Sequence, residues 1–388
     1  MYVDFPEGEA SPPPSYTIGT TIQPAEIEDT KVTSIYTGQI IIYTSIDQDM
    51  ATPFDAGDSL TGRVVVVPNK DTKFDKVAIE LHLVETFKCS QSFSSCSYIS
   101  KSINLSKHHI PSEAYPEDMV LKSGLKYTFT YSLIIPTSLN GAQCENSRFS
   151  PHYELPSSLG SICPMFVDSL DVRDKRLTTS YQIRTRIYND GCYHSPTAQS
   201  RRLVPVRTSY PPCLEAYATC EISKRTSKLS NWIASTFRPR RCPQITLSVQ
   251  DVPALYIQGK SSSVVNVQLT YIGKAQVPNI AKASYTLQGF VTTSKEPLSY
   301  YPQLTDSKEC SNIDSFPTQV TTFTEPVWKN GLTRIKVPLT LPEDVYRLVP
   351  TFFTCNCSRQ YVIKLTLSFD NSSSASVTFP VVIANKFL

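Results

Sequence analysis

Hydrophobic residues recur at every second position over most of this chain. From Tyr127 to Ile135 the odd-numbered residues are apolar and those between them are mostly polar. The same alternation runs from Val77 to Val84 and from Tyr361 to Phe369. Successive side chains of a strand point to opposite faces, so this period predicts strands with one buried face. Many such short strands, separated by turns such as Pro68-Asn69, are typical of antiparallel β-sandwiches.

One of these strands carries arginine on its outer face. Between Tyr181 and Tyr188, Arg184 and Arg186 take the outward positions beside Ile183 and Ile187. We therefore expect both guanidinium groups outside the hydrophobic core.

One segment departs from the period of two and predicts a helix. Between Ser223 and Arg241 the apolar residues follow the i, i+3, i+4, i+8 spacing of one helix face. They are Leu229, Trp232, Ile233 and Phe237. The segment has no acidic residue, and its basic residues are Lys224, Arg225, Lys228, Arg238, Arg240 and Arg241. Two interpretations remain open: packing on a sandwich with a solvated basic face, or contact with anionic lipid headgroups.

The length predicts more than one domain. A chain of 388 residues exceeds a comfortable single core. The first 30 residues are acidic and rich in proline without a periodic pattern, so we expect a disordered tail. The predicted order is a tail at 1–30, a β-sandwich at 31–212, a basic helical linker at 213–242 and a second β-sandwich at 243–388.

Composition argues against several classes of function. A formal net charge of +3 is too small to favour nucleic acid as the main partner. The N-terminus has Asp4, Glu7 and Glu9 without an apolar core, so we expect no signal peptide. No apolar run approaches the roughly 18 residues that span a bilayer. The 11 cysteines are an odd number and are expected to be free thiols in a reducing compartment. These features predict a cytoplasmic protein.

The sequence lacks the motifs of common catalysts. It contains no G-x-S-x-G, H-E-x-x-H or glycine-rich phosphate loop. Of its five histidines, His82 lies in a strand pattern, and adjacent His108 and His109 would point to opposite faces. We predict a non-enzyme with no metal, no cofactor and no small-molecule substrate.

A short linear motif stands in the N-terminal segment. Pro13, Pro14, Ser15 and Tyr16 form P-P-x-Y. Consecutive prolines favour a preformed polyproline II segment, which WW domains bind in an aromatic groove. Little entropy is lost on docking, so four residues suffice for a weak contact. The motif predicts a WW-domain partner.

Several segments, in chain order, resemble the arrestin family. They are FDAGDSLTGRV at 54–64, VAIELHLVETF at 77–87, the strand at 123–136 followed by LPSSL at 155–159, and PTF at 350–352 followed by CNCSRQY at 355–361. Cys357 stands where the family's N-I-S-R-x-Y signature has isoleucine.

The resemblance implies two arrestin-type antiparallel β-sandwiches. With P-P-x-Y, it implies an α-arrestin trafficking adaptor of fungal type, and the N-terminal P-P-S-Y is similar to that of the yeast Bul adaptors. Such proteins bring WW-domain HECT-type ubiquitin ligases to membrane transporters or receptors at the plasma membrane or endosomes, for ubiquitination and endocytosis. Two features depart from the family: most α-arrestins carry P-P-x-Y in a long C-terminal tail, and the basic helix is absent from visual arrestins.

Two other functions are alternatives to this adaptor role. An arrestin-fold scaffold of endosomal sorting coats would act without a ligase and would not need Pro13 to Tyr16. A β-sandwich hydrolase or carbohydrate-binding protein would need clustered catalytic carboxylates or an export signal, and the sequence shows neither.

Overall fold

The computed structural model describes 15 stretches of the chain. They are residues 34–35, 39–50, 52–92, 95–139, 155–159, 177–189, 195–208, 226–228, 244–249, 253–257, 262–273, 276–294, 296–298, 310–342 and 348–385. Their regular structure is β-strand, apart from a single 3-10 turn at Ser112–Ala114. The predicted all-β class is confirmed.

The described residues of the first half form ten strands in two main sheets. They are β1 Ser34–Ile35, β2 Ile40–Ile46, β3 Ser59–Pro68, β4 Thr72–Lys73, β5 Lys76–Ser92, β6 Ser95–His108, β7 Val120–Leu121, β8 Tyr127–Ile134, β9 Leu177–Tyr188 and β10 Ala198–Val204. One sheet has the order β1-β10-β9-β5-β6 and the other β2-β3-β8, while β4 and β7 pair separately. All neighbours are antiparallel.

The inward residues of both sheets enclose one hydrophobic core. Phe129 on β8, Ile79 on β5 and Ile183 on β9 are all almost fully buried in it. The alternation predicted for these strands is therefore confirmed. Gly62 on β3 permits the close approach of β2, because a Cβ there would collide with the carbonyl oxygen of Ser45.

In the second half, the described residues form eleven strands in two sheets. They are β11 Thr226–Lys228, β12 Gln244–Val249, β13 Ala254–Tyr256, β14 Ser263–Ile272, β15 Ile280–Thr293, β16 Cys310–Ser315, β17 Gln319–Thr321, β18 Leu332–Leu339, β19 Phe352–Phe353, β20 Cys357–Phe369 and β21 Ser374–Ala384. One sheet has the order β11-β12-β14-β18, and the other is built on β13-β21-β20-β15-β16. β17 pairs with β15 and β19 with β20, and β13 pairs with β21 in parallel.

A second hydrophobic core lies between these two sheets. Leu365 on β20, Val267 on β14 and Ile335 on β18 are fully buried there. Its members come from residues 245–383, whereas those of the first core come from 40–206. The described strands therefore form two β-sandwich-like halves, and the exact domain limits stay predictions.

The described part of the predicted helical linker forms a strand and not a helix. Of residues 213–242, the structure describes 226–228, and these form β11. Thr226 pairs with Thr246 and Lys228 with Gln244, so the backbone of β11 bonds to a neighbouring strand rather than to itself. A helix including these three residues is wrong, and the rest of the segment lies outside the described residues. Among the described residues, no helix is long and apolar enough to cross a membrane.

Candidate functional site

The outer face of the five-stranded sheet carries a line of charged residues. The strand registers place Arg201 on β10 opposite Arg184 on β9, Arg184 opposite Glu80 on β5, and Glu80 opposite Lys107 on β6. We call these four residues the basic row. They face away from the core because Ile79, Leu81 and Ile183 on the same strands point into it. Sequence alternation predicted the outward positions of Arg184 and Arg186, and the structure confirms them.

Glu80 already pairs with two basic side chains that are not part of the row. Its Oε2 lies 3.0 Å from Nη2 of Arg186 and 3.1 Å from Nε2 of His82. The hydrogen bond with His82 and the charge of Arg186 lower the pKa of Glu80, although partial burial opposes them. The other ring nitrogen of His82 lies 3.0 Å from Oγ of Ser102, so this histidine is held within the sheet as predicted.

Arg184 is surrounded by like charge. Its Nε and Nη2 each donate to Oε1 of Gln182 at 3.3 Å, a neutral partner. Burial, followed by repulsion from Arg201 and Arg186, lowers its pKa to about 10, and the charge of Glu80 offsets this only in part. No described carboxylate lies within ion-pair distance of Arg184 or Arg201.

Like charges also lie close together at the other end of the row, where Lys107 neighbours Lys76 of β5. Hydrogen bonding to Lys107 and then burial lower the pKa of Lys76. The only acidic residues in the sequences of β5, β6, β9 and β10 are Glu80 and Glu85, and Glu85 belongs to a different site. The face therefore has the chemistry to bind carboxylates or other anions.

A second polar cluster joins the two halves of the protein. Nζ of Lys101 on β6 donates to Oδ1 of Asn356, just before β20. Sγ of Cys357 lies 3.4 Å from Oε1 of Glu85 on β5. We call Glu85, Lys101, Asn356 and Cys357 the junction. Three of the four are buried: Glu85, Asn356 and Cys357.

Burial decides the protonation of the junction. It raises the pKa of Glu85, although hydrogen bonds from Thr354 and Cys357 and the charge of Lys101 act in the opposite direction. Burial, and then the charge of Glu85, raises the pKa of Cys357 far above its usual range. A buried neutral thiol is a poor nucleophile, so the cluster is suited to holding β5 and β20 together rather than to covalent chemistry.

A buried arginine continues the junction into the second core. The guanidinium of Arg359 lies over the ring of Tyr361, 4.7 Å from its centroid, and Nε donates to the phenol oxygen at 3.2 Å. Gly289 makes room for it, since a Cβ there would lie 2.5 Å from Nη2 of Arg359. The CNCSRQY segment, noted for its resemblance, thus supplies both the contact between the halves and a buried cation.

The LPSSL segment has a related structural role in the first half. Residues 155–159 are buried, and the amide of Ser158 donates to the carbonyl of Val206 at 2.8 Å. Oγ of Ser157 accepts the amide of Thr208 at 3.0 Å. This segment fixes the chain that follows β10.

The two site predictions from sequence lie almost wholly outside the described residues. Pro13, Pro14, Ser15 and Tyr16 do so completely, as do the basic residues of 213–242 other than Lys228. Lys228 is the last residue of β11. The described residues contain no group of three metal-ligating side chains.

Sequence reasoning missed the basic row and the junction as sites. Both depend on residues far apart in the chain, such as Lys107 and Arg201, or Glu85 and Cys357. The local sequence indicated that Arg184 and Arg186 lie on the outer face, but it did not indicate which residues of other strands lie beside them.

Comparison with known proteins concerns the second half of the chain. No curated protein matches the sequence. Residues 260–386 match the family model described as the Bul1 C terminus, a stretch that includes every strand from β14 to β21. The second half of the chain, from β14 to β21, is thus similar to the Bul1 C terminus.

Proposed function

We propose that this protein is a non-catalytic adaptor that recruits a WW-domain HECT-type ubiquitin ligase to membrane cargo. The observation that carries the proposal is the match of residues 260–386 to the Bul1 C terminus. That family is linked to ubiquitin-ligase adaptors, and P-P-S-Y at Pro13 to Tyr16 supplies a motif of the kind that WW domains bind.

The proposed mechanism is proximity. One part of the chain holds the ligase through P-P-S-Y while the β-sandwich halves hold a transporter or receptor. Tethering raises the effective concentration of the ligase at the cargo, so a weak contact at each end suffices. The protein then acts in the cytoplasm and is recruited to the plasma membrane or endosomes. It needs no cofactor, metal or small-molecule substrate of its own.

A pull-down with isolated WW domains of HECT-type ligases tests the ligase contact. The full chain is expected to bind with a Kd in about the micromolar range, because a four-residue motif buries little surface. Tyr16→Ala removes the ring that fills the second pocket and should reduce binding at least about tenfold.

Two further variants make the test specific. Ser15→Ala changes the variable position of P-P-x-Y and should bind as the wild type does. Tyr256→Ala alters the related sequence Pro253-Ala254-Leu255-Tyr256, which lacks the second proline and whose last three residues form β13. This variant should also bind WW domains as the wild type does. Undiminished binding by Tyr16→Ala would favour the coat scaffold that acts without a ligase.

A further inference from the structure

The basic row places like charges directly opposite one another, which is unfavourable in the absence of an anion. Arg201 and Arg184 are direct cross-strand partners. Like charges in such positions destabilise a sheet, and Arg184 is also partly buried among them. The one carboxylate of the row, Glu80, is taken up by Arg186 and His82. A ligand with carboxylates would relieve this repulsion at Arg184 and Arg201.

The sequence just before β1 is rich in acidic residues. The residues before β1 include six carboxylates and one cation, Lys31. The six are Asp4, Glu7, Glu9, Glu26, Glu28 and Asp29. These residues lie outside the described part of the chain, and the first described residue after them is Ser34 of β1.

β1 is the edge strand of the sheet that bears the row. Ser34 pairs with Ser200 and Ile35 with Gln199 in an antiparallel register. The direction from Ser34 towards the N-terminus is therefore the direction from Ser200 towards Arg201. The chain enters its first described strand at the arginine end of the row.

The distance is short enough for the acidic residues to reach both arginines. Asp29 precedes Ser34 by five residues, which span up to about 17 Å when extended. Neighbouring strands are about 4.8 Å apart, so Arg184 on β9 lies roughly 10 Å from β1. Glu26 and Glu28 have a longer reach still.

We propose that Glu26, Glu28 and Asp29 dock on Arg184 and Arg201 and cover the outer face of the five-stranded sheet. Carboxylates accept hydrogen bonds from guanidinium groups in bidentate geometry, which makes these pairs strong for their size. A segment tethered so close has an effective concentration of about a millimolar or more, so each contact needs only weak intrinsic affinity. An external acidic peptide must then displace the chain's own segment to reach the row. This self-docking goes beyond the proposed adaptor function and does not depend on it.

Competition within the full-length chain tests the proposal. The probe is a fluorescently labelled peptide of residues 22–33, and its binding is followed by anisotropy at low and at raised salt. In the variant E26Q/E28Q/D29N the row is open, so the peptide should bind about tenfold more tightly than to the wild type. Added salt should weaken this binding, because the row is exposed enough to be screened.

Two matched variants locate the effect. D4N/E7Q/E9Q removes the same number of carboxylates from the same N-terminal segment and should bind the peptide as the wild type does. R184Q/R201Q, added to the open variant, should abolish binding, whereas R184K/R201K keeps the charge and should retain part of it. The thermal unfolding midpoint of each variant shows that the fold is intact.

Two outcomes would overturn the proposal. Equal binding by the wild type and the open variant would show that the chain's own segment does not occupy the row. If that equal binding is abolished by R184Q/R201Q, the row is a site for acidic partners and not for the chain's own segment. Absence of peptide binding to the open variant would show that the row does not hold acidic peptides.

Discussion

Two glutamates on β5, five residues apart, show how position in the sheet determines the behaviour of one side-chain type. Glu80 lies on the outer face, where the hydrogen bond with His82 and the charge of Arg186 lower its pKa. Glu85 lies in the junction, where burial raises its pKa above the ordinary value of 4.5. The contributions of the two carboxyl groups to the free energy of unfolding therefore change with pH in opposite directions.

The signs follow from proton binding in the folded and unfolded chain. Folded Glu85 holds its proton more tightly than the unfolded chain does, so its contribution to stability falls as pH rises above about 4.5. Folded Glu80 releases its proton more readily. Its contribution is present above about 4.5 and is lost as pH falls through its lowered pKa.

Neutral substitutions at the two positions should therefore have opposite effects. At neutral pH, Glu85→Gln should raise the free energy of unfolding, because the neutral amide avoids the cost of ionising a buried carboxyl group whose pKa is raised. It should also flatten the decline of stability between weakly acidic and neutral pH. Glu80→Gln should lower the free energy of unfolding at neutral pH, with the difference shrinking in acid. Urea unfolding over this pH range measures both. A loss of stability in Glu85→Gln at neutral pH would mean that Lys101 keeps the carboxylate ionised.

At the scale of elements, the strands could be predicted because their signal is local. Alternation at Tyr127 to Ile135 and at Tyr361 to Phe369 depends only on neighbouring residues, and the core confirms it. Register is not local: the opposition of Arg201 and Arg184, or the meeting of Glu85 and Cys357, is set by tertiary pairing. The basic row and the junction could therefore not be assembled from sequence.

The strand at 226–228 shows a different limit of local pattern. The predicted helical segment ran from Ser223 to Arg241, but its apolar spacing begins only at Leu229, so residues 226–228 were included without an apolar position of their own. Backbone pairing of Thr226 with Thr246 and Lys228 with Gln244 decides their structure.

A glycine in β3 provides a test at this scale. A Cβ at Gly62 would meet the Ser45 carbonyl and the ring of Tyr131, whose hydroxyl donates to the same carbonyl at 2.7 Å. Because backbone has little freedom to shift, Gly62→Ala should lower the free energy of unfolding by about 2–3 kcal/mol. Gly124→Ala is the control: its φ is +76° but its surroundings are open, so backbone strain alone should cost about 1 kcal/mol. Denaturant unfolding separates the two, and equal losses would mean that β2 and β3 adjust to the added methyl group.

At the scale of the whole molecule, the described residues form two β-sandwich-like halves that meet at the junction. The family match lies in the second half, whereas the basic row and the proposed ligase motif lie in the first half and before it. This distribution fits an adaptor whose separate surfaces hold separate partners. The basic residues predicted to contact lipid lie in the sequence between the two halves, and their partner is still to be tested.

Those residues make the last prediction, which concerns anionic membranes. We expect six cations together to drive binding to vesicles that contain acidic lipids: Lys224, Arg225, Lys228, Arg238, Arg240 and Arg241. Each basic residue near such a surface contributes about 1 kcal/mol, and the segment has no acidic residue to oppose it. Co-sedimentation should show binding that weakens with salt, since exposed charges are screened within about 8 Å at physiological ionic strength.

The control must lose the same charge from elsewhere on the surface. Replacing the six residues above by glutamine should greatly reduce vesicle binding. Replacing six exposed cations of the described strands and turns should leave most of it: Lys70, Lys73, Lys329, Arg334, Lys336 and Lys364. Equal losses in the two variants would mean that net charge, rather than this segment, attracts the membrane. Binding that is unchanged in the first variant, or indifferent to salt, would leave residues 224–241 with a purely structural role.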